Sequence, residues 1–302
     1  MADRVDKQWK DKGIQSYSTP AIIGTLNHYG VAVDEAALKA AGESTPLELA
    51  GQWKASWKGT GQFATFPYAA ANELLARLFP DRPTPMKLAT VLVELIAAST
   101  RYLSKPPEAP QTGPGTPVGT AFAAWDAVAV GLPPEGPRRD AFVGEVVAFL
   151  EPWAKPFGEL PQAFAQVGDG EAARRFALVH EQLFPDRRGC ATAVVRSELG
   201  EHEAAVADLT AWAGDTARDV FARYAAIDAL FQLESWDGIK AQGLAVFDLA
   251  AEQAKWTLAD STAHLLAQAC EVTEVTPAFA AEVQRRLERA HAATGGHGHH
   301  HH

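Results

Sequence analysis

Three histidines stand beside carboxylates in patterns that touch on metal chemistry. A helix carrying two His one turn apart, with a Glu next to the first, binds zinc and activates water. His180-Glu181 opens that pattern, but Phe184 occupies the place of the second His. His202-Glu203 opens it again, and Val206 stands there instead. Asp260 and His264 lie at i,i+4, so they share a helix face and offer two ligands. No third ligand is indicated, and a solvated carboxylate–imidazole pair is expected. Gly168-Asp169-Gly170 with Ala173 spells a dinucleotide-binding string, but no strand precedes it. Gly59-Thr60-Gly61 lacks both a third glycine and a phosphate-binding lysine. Cys190 and Cys270 sit in no nucleophile motif and are read as buried helical residues. No catalytic residue, metal ligand or cofactor is therefore assigned.

Two features point to binding. Trp53, Trp57, Phe63, Phe66 and Tyr68 fall within sixteen residues, with Lys54 and Lys58 among them. Core packing explains such a cluster, and a groove for a partner peptide is the alternative, because aromatics concentrate binding energy. The second feature is charge. From Glu198 to Glu274 there are seven Asp and seven Glu against Arg218, Arg223, Lys240 and Lys255. That is a net of −10, which equals the whole chain's. An acidic surface of this extent attracts a basic partner and repels nucleic acid. Glu198, Glu201, Glu203, Asp208, Asp215 and Asp237 flank the turns between helices and are the expected contact residues.

The elements that must carry these residues are helices. The 302 residues are 47% apolar and 21% charged, enough for one large or two modest domains with a proper core. The longest apolar stretch, Leu88 to Ala98, is interrupted by Glu94 and is too short to span a bilayer. The polar N-terminus is no signal peptide, so a cytoplasmic location without membrane contact is expected. The histidine-rich residues 295–302 read as a purification tag. Helices are expected from Ser18-Thr19-Pro20 to His28, from Asp34 to Ala41, over 47–57 after Thr45-Pro46, over 67–79, and over 86–103 after Thr84-Pro85. Lys105 to Gly119 contains five Pro and three Gly. Residues 105–137 are read as a Pro/Gly-rich linker with a short helix near 121–130. It separates an N-terminal helical region, 1–104, from a C-terminal one, 138–294.

The C-terminal region repeats. Gly168 and Gly200 are each followed by Glu-Ala-Ala after two intervening residues, and Ser235 takes the comparable place in a third unit. Gly168, Ala173 and Pro185, with Gly200 and Ala205, resemble the inter-helix glycine, small residue and terminal proline of the tetratricopeptide repeat. The second unit has Asp219 where that proline would stand. The resemblance covers about 154–252, and generic helical hairpins are the alternative. Leu78-Phe79-Pro80-Asp81-Arg82 echoes Leu183-Phe184-Pro185-Asp186-Arg187 across the linker. Helical periodicity nearly everywhere implies an all-α fold, the resemblance implies antiparallel hairpins stacked as an α-solenoid, and the linker divides the chain into two helical subdomains.

The function expected from these features is non-catalytic: a helical module whose acidic surface engages a basic protein. A bacterial immunity protein that neutralises a cationic toxin is one form, and an adaptor or chaperone is another. An all-helical enzyme with an unfamiliar site, or a subunit that oligomerises through helix 86–103, is the alternative.

Overall fold

The structure, a computed structural model, describes residues 4–295. The remainder of the tag-like tail, 296–302, lies outside the described residues. Among the described residues there is no β-strand. The helices are α1 (Trp9–Lys12), α2 (Thr19–His28), α3 (Glu35–Ala40), α4 (Pro46–Lys54), α5 (Phe66–Leu78), α6 (Pro85–Ser104), α7 (Pro117–Ala129) and α8 (Pro137–Phe149). They continue with α9 (Ala154–Gln166), α10 (Gly170–Leu183), α11 (Cys190–Arg196), α12 (His202–Gly214), α13 (Val220–Gln232), α14 (Trp236–Glu252), α15 (Trp256–Val272) and α16 (Pro277–Gly295).

Helix starts follow side-chain chemistry. The Ser18 hydroxyl accepts the Ala21 N–H, and the Asp34 carboxylate accepts the Ala37 N–H. Thr45 and Glu48 form a reciprocal capping box on α4. Thr84 caps α6 and Thr116 caps α7, each followed by a proline that suits the first helical position.

The chain divides into two compact units, Met1–Phe157 and Gly158–His302. The division falls inside α9, not in the Pro/Gly-rich segment 105–137. Proline density stops α6 at Ser104, but Thr116-Pro117 is another helix start, and α7 packs directly on α6. The intervening loop is tied back to α6 by the Gln111 N–H, which donates to Tyr102 Oη at 3.1 Å.

In the first unit, Ile22 and Leu26 of α2, Leu38 of α3 and Leu74 of α5 are buried in one core with Phe66. The apolar face of α6, with Leu88, Leu92, Leu95 and Ile96, is wholly buried, and α6 packs on α7 and α8. Four apolar residues of this long helix, the alternative oligomer interface, are thus spent inside its own chain, while Met86 is 39% exposed.

In the second unit each helix packs mainly on its sequence neighbours, α12 on α13, α14 on α15 and α15 on α16. Three of its turns share one device. Gly168, Glu234 and Ala254 each adopt positive φ, at 83°, 53° and 54°. The following amide donates back five residues, Asp169 to Phe164, Ser235 to Leu230 and Lys255 to Ala250. This pattern ends a helix and satisfies its last carbonyls. Gly200, at φ 99°, instead sits in a π-helical turn between α11 and α12. Ala173 and Ala205, the small residues of the repeat register, are fully buried.

Candidate functional site

The expected partner surface lies in the second unit, whose 12 Lys and Arg oppose 21 Asp and Glu, a net of −9. The first unit has 15 against 16, a net of −1. The folded chain moves cations into the acidic stretch from outside it. Arg196 pairs with Glu201 at 3.0 Å and with Asp208 at 2.8 Å. Arg187 reaches Asp228 at 3.3 Å, and Arg286 reaches Asp248 at 2.7 Å. Asp215 accepts the Ala217 N–H and faces Arg218, and Glu198 accepts from Gln162. Glu203 is exposed, and Asp237, beside Lys240, is 95% exposed. The six expected residues therefore split: Arg196 pairs with Glu201 and Asp208, Arg218 with Asp215 and Lys240 with Asp237 at 2.9 Å, while Glu198 and Glu203 are exposed. Arg196 lies two residues before the acidic stretch, so a count within 198–274 passes over it.

The aromatic cluster is core. Trp53, Phe63 and Phe66 are buried. Trp57 stacks on Phe66 at 6.0 Å between centroids, and Tyr29 packs against both Trp57 and Phe63. Helix α4 ends at Lys54, so Trp57 enters this core from the turn rather than from a shared helix face with Trp53. Tyr68 stands apart, against Phe149 of α8. These five residues form no common open groove.

Sequence inspection missed Glu145. It lies on α8 and is only 5% exposed. Its Oε1 accepts the Thr45 hydroxyl and the Leu47 N–H, so it helps close the N-terminus of α4. Its Oε2 is buried with no hydrogen-bond partner. Burial pushes its pKa above the ordinary 4.5, against the pull of Thr45 and Leu47. An isolated Glu on a helix gives no sequence signal for this; the partner is a hundred residues away.

A cleft of about 350 Å³ in the first unit is lined by the starts of α4 and α6 together with Arg82 and Arg138. Helix N-termini and arginines suit an anion. Both arginines, however, are engaged: Arg82 donates to the Gly42 carbonyl and lies over the Phe79 ring, and Arg138 pairs with Glu43.

The histidines resolve differently. His180 lies between the rings of Phe176 and Phe184, and His202 Nδ1 contacts the Ser197 hydroxyl at 2.7 Å. Burial pushes the Cys190 thiol to about 12, which makes it a poor nucleophile. Burial raises Cys270 too. Asp260 and His264 do share a face of α15, and α16 brings His291 to them. The pairing of α15 with α16, invisible in either segment alone, supplies the third residue.

The chain matches no protein-family model, and neither the curated proteins nor the solved structures give a match.

Proposed function

We propose that the protein is a non-catalytic helical binding module whose second unit engages a basic protein partner. The charge asymmetry between the units, −9 against −1, is the observation that carries this reading. A surface of one sign accelerates encounter with an oppositely charged partner and gives the complex a strong salt dependence. Stacking of the helical pairs of residues 154–252 as an α-solenoid of tetratricopeptide type is part of the proposal. It would expose the inter-helix turns bearing Glu203 and Asp237 on one edge. Neutralisation of a cationic toxin, as an immunity protein does, is its most specific form, and adaptor or chaperone service to a basic client its broader one. No helix of the described residues is long and apolar enough to cross a membrane.

The test is capture from the protein's own host with the parent chain and with a Glu203→Lys, Asp237→Lys double variant, at low and at physiological salt. Basic proteins retained by the parent and lost by the variant support the proposal. Identical capture by both, or loss of no protein as salt rises, rejects it.

A further inference from the structure

We infer that Asp260, His264 and His291 form a binding site for a divalent first-row transition metal such as zinc, clamping α15 to α16. One ligand atom from each residue can be chosen so that all three lie within 4.8 Å of one another. His264 Nδ1 lies 3.6 Å from Asp260 Oδ2, and His291 Nε2 lies 3.7 Å from Asp260 Oδ1. These spacings are too long for good hydrogen bonds. The 3.7 Å between His291 Nε2 and Asp260 Oδ1 approaches the separation of about 3.4 Å that tetrahedral geometry gives two ligands each about 2.0–2.1 Å from a zinc ion.

Two further observations point to a cation. Asp260 Oδ1 is buried and accepts no hydrogen bond, although the side chain as a whole is 29% exposed. Such a group is costly unless a positive charge meets it. Next, His264 Nδ1 lies 2.9 Å from the Asp260 backbone carbonyl. A carbonyl only accepts, so this contact places the proton on Nδ1 and the lone pair on Nε2. Metal-binding histidines are commonly oriented and poised by such a bond from the other ring nitrogen.

The fold explains the convergence. Ala263 of α15 and Ala290 of α16 are both fully buried in one cluster, and each immediately precedes a histidine of the trio. Small side chains let the two helices approach, and the next residue on each is carried to the rim of the contact. His264 and His291 are 55% and 56% exposed, so an ion has access, and the two rings lie 5.4 Å apart. Two imidazoles and one carboxylate select zinc, cobalt or nickel over magnesium or calcium, which prefer oxygen ligands. Three protein ligands leave a fourth position to solvent.

The experiment uses the full chain with His297, His299, His300, His301 and His302 replaced by serine, which removes competing imidazoles. Zinc is titrated calorimetrically, and cobalt is followed by its visible absorption. The expected result is one zinc per chain, a raised melting temperature, and an intense cobalt spectrum of low coordination number. His264→Ala and His291→Ala should each weaken zinc binding by more than about tenfold and abolish the thermal shift. Both positions are exposed, so circular dichroism of the metal-free variants should match the parent. Asp260→Asn, which keeps the shape and removes the charge, should weaken binding as well. Absence of stoichiometric zinc binding overturns the inference. So does zinc binding of parental affinity in either histidine variant, because the trio is then only a carboxylate between two imidazoles.

Discussion

The Glu145 carboxylate, on α8, accepts the hydroxyl proton of Thr45, the residue that caps α4. Two short-range devices of the first unit, a capping box and a helix face, are thereby joined through one buried acid. The Thr45 oxygen also accepts the Glu48 N–H, and the Thr45 N–H is held by the Glu48 side chain. Five groups thus bond to one another around a single helix start.

Replacing Glu145 by Ala leaves the Leu47 N–H and the Thr45 hydroxyl without this acceptor. The loss expected is about 1–3 kcal/mol of unfolding free energy, measured by urea titration. Glu145→Gln separates charge from shape. Burial raises the folded-state pKa, so the folded chain holds this proton more tightly than the unfolded chain does. The resulting stabilisation is complete below the unfolded carboxyl value and is lost as pH rises through the raised folded value. Glu145→Gln should remove that loss and gain on the parent as pH climbs from about 4 to 8. Parallel profiles for the two chains would show that Glu145 titrates normally.

Glu234 and Ala254 hold a backbone conformation that a Cβ disfavours, where Gly168 holds it freely. Glu234→Gly and Ala254→Gly should each raise stability by about 0.5–1 kcal/mol. The denaturant midpoint should rise with an unchanged slope. Gly168→Ala should move it the other way.

Ala173 and Ala205 are fully buried. Ala173→Leu and Ala205→Leu should each cost about 1–3 kcal/mol through overpacking. A neutral result at both positions in thermal unfolding would mean that the small-residue register does not govern the packing there.

Cys190 should resist alkylation in the native chain at neutral pH, because its thiol is raised to about 12. Cys270, raised to a lesser degree and partly exposed, should label first. Mass-spectrometric mapping of iodoacetamide adducts orders the two. Faster labelling at Cys190 would contradict the packing around it.

Helical class and most helix starts were legible because they are written in adjacent residues. Ser18, Asp34, Thr45 and Thr84 each cap the helix that their neighbours predict. Thr116-Pro117 carries the same signal, but proline and glycine density around it suggests a linker, and α7 starts four residues before the helix expected near 121. The division within α9 had no compositional mark, since a helix runs through it. The contact of α15 with α16 that completes the trio, and the pairing of Arg196 with Glu201 and Asp208, depend on where helices turn back. Periodicity within one segment does not encode that. Trp53 and Trp57 show the converse: their spacing suits one helix face, yet α4 stops between them.

The neighbour-to-neighbour packing of α10 to α16 also fixes how quickly that unit can find its structure. Each of its principal interfaces closes only a short stretch of chain, so little configurational freedom is surrendered before a contact rewards it. The first unit must instead join Trp9 to Gln62 and Glu145 to Thr45, over 53 and 100 residues. Low contact order speeds folding and distant contacts slow it. Stopped-flow refolding should therefore show helix formation in residues 170–295 ahead of the first unit's tryptophan burial. During synthesis the order is opposed: the slow-forming half leaves the ribosome first and has the longer time in which to assemble.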